Sequence, residues 1–223
     1  VLARLRANPV PVTYRDGSTG EEVTETITAD HVAGLVRMYA YMPAVGALLP
    51  QLIREASQGR YANLMALAKM MQGDLEESMS MGMQMSVICT EDADSMVVRA
   101  EDADTVLGNR MVESMASMCQ AWPKGDKPAD FNTALEGDLP VLVLTGEFDP
   151  VTPPKYGEEI AKSLPKSRWL DLKGQGHSVL GAGCMPKLFA QFIEKADARA
   201  LDAKCLDKLA YVPPFTSYNG WEP

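Results

Sequence analysis

The sequence predicts an α/β chain in which an α-helical segment is joined to two parallel strands and their flanking helices. Residues Val141 to Leu144 form a short apolar, β-branched run, the composition of a strand buried on both faces. A second strand-like run, Arg168 to Leu172, follows a helical stretch from about Lys155 to Leu164, and strands linked through a helix pair in parallel. Upstream, from Asp30 to about Trp122, apolar residues recur at helical spacing.

Each element follows from its residues. Residues 1 to 8 read as the end of a helix. Val10 to Tyr14 and Glu21 to Ile27 alternate apolar or β-branched with polar residues around Asp16-Gly17 and Thr19-Gly20, a hairpin signature; it reads as a connector without chemistry of its own. Asp30 is placed to cap a first helix carrying Val32, Leu35, Val36 and Tyr39 and ending near Pro43. A second carries Val45, Leu48, Leu49, Leu52 and Ile53, is broken or kinked at Pro50 and closes at Gly59. A third holds Tyr61, Leu64, Met65 and Leu67. Asp74 starts a fourth, through Leu75, Met79, Met83 and Val87 to Cys89, and a fifth spans about Thr105 to Cys119. Most of the 14 methionines lie in these helices, where they serve as an apolar core or as an adaptable wall against a ligand. Trp122 to Asp138 is a linker rich in Pro, Gly, Asp and Lys. After the strands, Met185 to Ala196 and Leu201 to Leu209 read as helices, and the aromatic tail from Phe215 to Trp221 packs on a surface. The 223 residues suffice for one large domain or two small ones. The expected division is 1–29, a connector with the hairpin; 30–131, a helical cap; and 132–223, the sheet region.

Net charge is −9 and the isoelectric point about 4.8, which excludes the basic footprint of a nucleic-acid binder. Between Asp74 and Asp104 stand nine acidic residues and one basic residue, Arg99. This stretch reads as a solvated acidic loop, as a site for a hard cation, although the glycine-turned loop of an EF-hand is absent, or as a surface for a substrate amine. No apolar run reaches the length of a membrane span, and no signal-peptide pattern stands at Val1.

The chemistry concentrates where the strands end. The first strand delivers Asp149 just past its C-terminal end, and Pro153-Pro154 suits the first turn of the helix that follows. The second ends at Gly174-Gln175-Gly176 and presents His177. Parallel pairing brings both side chains to one sheet edge, where open α/β sheets bind ligands. A histidine acting as general base needs a carboxylate on Nδ1 to set its tautomer and stabilise the imidazolium. Taken singly, Asp149 reads equally as a helix cap and His177 as an ordinary loop histidine.

The stretches GEFDPVTPP (146–154), GQGHS (174–178), GCMPKLFAQFI (183–193) and YVPPF (211–215) together resemble the C-terminal region of α/β-hydrolase-fold serine peptidases, with the prolyl and tripeptidyl aminopeptidases as the nearest group. The resemblance covers roughly residues 139 to 217. It implies an α/β-hydrolase fold fragment, an α-helical cap plus the last two parallel strands, with Asp149 as the acid and His177 as the base of a Ser-His-Asp triad. It also implies that cap acids bind the free amino group of a peptide, and Glu91 is the residue chosen for that role. The serine does not follow. No G-x-S-x-G elbow exists; Gly17-Ser18-Thr19-Gly20 has the wrong spacing, and Ser178 adjoins the base. The expectation is therefore the C-terminal portion of a longer serine hydrolase, inactive alone, whose partners are a peptide with a free N-terminus and an N-terminal segment of the same protein carrying the nucleophile. An esterase or lipase, and a non-catalytic binding fragment, are the alternatives. No cofactor or metal is expected. Four cysteines allow three pairings. Neighbours in sequence suggest Cys89–Cys119 and Cys184–Cys205, and the resemblance supports the second in particular. Both pairings would imply an oxidising compartment, periplasmic or extracellular; four buried free thiols would imply the cytosol.

Overall fold

The structure, a computed structural model, describes residues 1–221, without the side chains of residues 74–78. The expected cap at Asp74, the core position of Leu75 and the carboxylates of Glu76 and Glu77 lie outside the described residues. The chain divides into two units: Val1–Leu35 with Leu52–Asn132, and Val36–Gln51 with the chain from Thr133 on. Residues 36–51, placed by the sequence reading in the helical segment, thus group with the strands. Backbone hydrogen bonds bring them there: His177 N–H donates to the Tyr41 carbonyl (2.9 Å) and Phe215 N–H to that of Ala47 (2.8 Å).

In the first unit, α1 (Leu2–Ala7) precedes the antiparallel hairpin of β1 (Val10–Arg15) and β2 (Glu22–Ile27), in register from Val10↔Ile27 to Arg15↔Glu22. The Asp16 carboxylate closes the turn by accepting the Ser18 and Thr19 N–H groups at 3.0 and 2.8 Å, an Asx turn. The next helix, α2, runs Ala29–Ala40, its residues up to Leu35 in the first unit and the rest in the second. Asp30 therefore lies inside its first turn rather than capping it, and Thr28 with His31 closes the end. The stretch read as one helix broken or kinked at Pro50 is two, α3 (Pro43–Gly46), in the second unit, and α4 (Leu49–Ser57), which belongs to the first from Leu52 on. Pro50 falls in the first turn of α4, where its missing N–H has no helical partner to lose.

Helix α5 (Ala62–Ser78) continues through position 74, and α6 (Met81–Glu91) begins only after Ser80. The last helix of this unit, α7, spans Arg110–Ala121 and starts later than expected. The Thr105 hydroxyl accepts the Gly108 N–H (3.1 Å) and donates to the Asp102 carbonyl (2.8 Å), local bonds that compete with a helix. Helices α6 and α7 share a small core of Met85, Cys89 and Cys119, with Ile88, Met115 and Trp122 packed on it. The Cys89–Cys119 disulfide runs through that core. Met65 and Met85 are buried, whereas Met81, Met83, Met111 and Met118 are exposed, so the methionines fill the core only in part.

In the second unit β3 (Val141–Gly146) and β4 (Ser167–Leu172) pair in parallel, in register from Val141↔Ser167 to Gly146↔Leu172, and α8 (Pro154–Ser163) is the crossover. Val141 to Leu144 are half-buried rather than buried on both faces, because among the described residues β3 pairs along one edge only. Leu172, Val179, Met185, Leu188 and Leu201 form the core of this unit, under α9 (Met185–Lys195). Leu201 to Leu209 is not an α-helix; its helical part is a short 3₁₀-helix of five residues, Lys204–Lys208. The segment is tied down instead: Leu201 O accepts Arg168, and Cys205 is bonded to Cys184.

Candidate active site

The two strand ends are bound together before either side chain is placed. Thr145, facing Asp171 across the ladder, donates to its carboxylate at 2.8 Å and accepts the Trp169 indole N–H at 2.8 Å. Past Gly146 the backbone turns and pairs with the following loop: Glu147 N–H donates to Leu172 O and Phe148 N–H to Gln175 O. Two glycines permit this approach. A Cβ on Gly146 would lie 2.1 Å from Gly176 O, and one on Gly176 would lie 2.2 Å from Tyr41 O.

The result is an Asp–His pair. His177 Nδ1 stands 2.9 Å from Asp149 Oδ2. A carboxylate only accepts, so Nδ1 carries the hydrogen, and in the neutral ring Nε2 is the nitrogen that holds the lone pair. Asp149 is 8% exposed and accepts three more bonds, from Val151 N–H (2.8 Å), Thr152 N–H (2.9 Å) and the Thr152 hydroxyl (2.8 Å). Burial alone would raise its pKa. The Thr152 and Val151 N–H groups, the Thr152 hydroxyl and His177 together outweigh burial and hold the carboxyl below its ordinary value. Asp149 therefore makes an Asx turn ahead of α8 and meets the imidazole at once; the helix itself starts at Pro154 with Pro153 before it. The His177 side chain is 39% exposed, and the Tyr41 ring meets it edge-on at 5.3 Å. Ser178 follows with φ +69°, a left-handed conformation uncommon for a side-chain-bearing residue.

Some neighbours of the pair were not foreseen. Thr152 had a signal, the Asp-x-x-Thr spacing typical of such turns. Tyr41 had none, being far away in sequence. Nor did Glu147, which accepts the Gly174 N–H (2.8 Å) and the Tyr211 hydroxyl (3.0 Å) and so ties the two turns to the C-terminal segment. Glu91 lies in the last turn of α6, in the first unit, and its carbonyl accepts the Lys127 ammonium at 2.6 Å. Among the described residues no group of three or more His, Cys, Asp or Glu could hold a metal ion, and none of the described helices is long and apolar enough to cross a membrane.

Residues 104–205, a little under half of the chain, match the model of a family described as TAP-like protein, an α/β-hydrolase family. The match supports an α/β-hydrolase-family region over these residues. No curated protein and no solved structure matches the chain.

Proposed function

We propose that this chain supplies the acid and base of a serine hydrolase, an aminopeptidase acting on peptides with a free N-terminus. The observation that carries the reading is the 2.9 Å contact between Asp149 and the His177 Nδ1 at the end of a parallel strand pair. In this reading the serine comes from an N-terminal segment of the same protein. His177 Nε2 takes the hydroxyl proton as the oxygen attacks the peptide carbonyl, then returns it to the leaving amine. Asp149 keeps the ring in the Nδ1–H tautomer and stabilises the imidazolium. In the same reading Glu91, in the last turn of α6, binds the substrate's amino group. The disulfides support maturation in an oxidising compartment, the periplasm or the exterior.

The test is release of p-nitroaniline from peptide p-nitroanilides with free and blocked N-termini, using the full-length protein and its His177→Ala variant. The expected result is a drop of about 10⁶-fold in kcat for the variant and a preference for free amines. Equal rates in both proteins would end the proposal. An esterase or lipase uses the same pair, and cleavage of esters without any preference for free amines would select that reading instead.

A further inference from the structure

Beside the Asp–His pair the second unit carries a groove of about 270 Å³. It is built on the same turns as the pair. Phe148 precedes Asp149, Gly174 belongs to the loop that presents His177, and Tyr39 and Ala40 lead to Tyr41, whose ring meets the imidazole. The walls are rings, chiefly Tyr39, Pro43, Pro50, Phe148, Tyr211 and Pro214, and no charged side chain lines them. Phe148 and Tyr211 stack with centroids 5.5 Å apart and planes at 23°, yet they remain 52% and 51% exposed.

This wall is held in place before anything binds. The Tyr211 hydroxyl donates to Glu147, whose other oxygen grips the Gly174 N–H, and the Lys173 ammonium stands 4.9 Å from the Tyr211 ring centroid. A wall already ordered loses little entropy on binding. The chemistry of the lining selects the guest. An ionic or strongly hydrogen-bonding side chain would be desolvated there without a partner, whereas aromatic faces and proline rings favour another flat apolar ring. A volume below that of pockets for drug-sized ligands suits one side chain rather than a long chain.

We propose that this groove is a subsite for a single apolar ring side chain, phenylalanine being the simplest, of a peptide presented to His177. The role as a subsite rests on the hydrolase reading, but the binding itself needs no nucleophile and is measured separately. The probe is N-acetyl-phenylalanine amide, titrated into the chain while the ring resonances of Phe148 and Tyr211 are followed by NMR, with N-acetyl-lysine amide and octanoate for comparison. The expected result is saturable binding about tenfold tighter for the phenylalanine probe than for the lysine probe, shifting both rings. Phe148→Ala weakens it about tenfold, Tyr211→Phe, which keeps the ring and loses the bond to Glu147, weakens it about threefold, and His177→Ala leaves it intact. Equal binding of all three probes, a preference for octanoate, or indifference to Phe148→Ala would overturn the inference. Phenylalanine binding in a full-length protein without peptidase activity would overturn the proposed function and leave the groove standing. Peptidase activity with no saturable probe binding would do the reverse.

Discussion

Two histidines, His31 and His177, sit in two different regions, the start of a helix in the first unit and the rim of the strand pair in the second. His31 Nδ1 faces donors: the Thr28 N–H at 3.1 Å and the Thr28 hydroxyl at 3.0 Å. It must accept, so the ring closes the end of α2 as the Glu of a capping box does. His177 Nδ1 faces the Asp149 carboxylate, so it must donate. The same side chain thus presents opposite nitrogens, decided by one neighbour each. The surroundings push His31 the same way. Burial, then the Lys69 ammonium, hold its pKa below the ordinary value against the pull of Glu25 and Asp30, which keeps the ring neutral and accepting. The lesson is that an imidazole becomes a candidate base only where its partner is an anion; a ring that spends its lone pair on backbone is a structural group.

The sharpest way to break this contrast is Asp149→Asn. An amide keeps the shape but no longer requires Nδ1 to donate, and kcat of the full-length protein should fall about 10⁴-fold, read from the same p-nitroanilide assay. Gly176→Ala attacks the placement rather than the charge. Its methyl group would meet the Tyr41 carbonyl and displace the turn, costing about 1–3 kcal/mol of stability and about 10²-fold in rate through misplacement; urea unfolding and kcat/KM measure the two. The mildest change is His31→Ala, which removes a helix-end partner worth about 1 kcal/mol and should leave kcat/KM unchanged.

Acid separates the two regions further. A folded-state pKa below the unfolded value gives stability that is complete above the unfolded pKa and is lost as pH falls through the folded one. For His31 the loss begins as pH falls below its ordinary 6.5, and for Asp149 only below its ordinary 3.8. Urea midpoints measured between about pH 7.5 and pH 5 should therefore decline in the wild type and flatten in His31→Ala. A decline that survives the substitution would assign it to another group.

Much of this was readable along the chain because it is local. The hairpin announced itself through Asp16-Gly17 between alternating runs, and the strand–helix–strand unit through Val141 to Leu144, Pro153-Pro154 and Arg168 to Leu172. The pairing of Cys184 with Cys205 joins neighbours in sequence on either side of α9. The helical segment was harder. Asp74 has the composition of a cap, yet α5 runs through its position. Leu201 to Leu209 has helical spacing, but a disulfide and Arg168 hold that segment as a short 3₁₀ turn.

By itself, the sequence determined that a carboxylate and an imidazole follow successive strands and so reach one sheet edge, because strand periodicity and crossover handedness are set by residues close to one another in the chain. Only the tertiary structure decided what surrounds them: Tyr41 against the ring, Glu147 bridging two turns, and Phe148 and Tyr211 lining an apolar groove. Those contacts join residues separated by long stretches of chain. Their energies come from burial and from hydrogen bonds formed only once the chain has closed, and no short window of residues carries them.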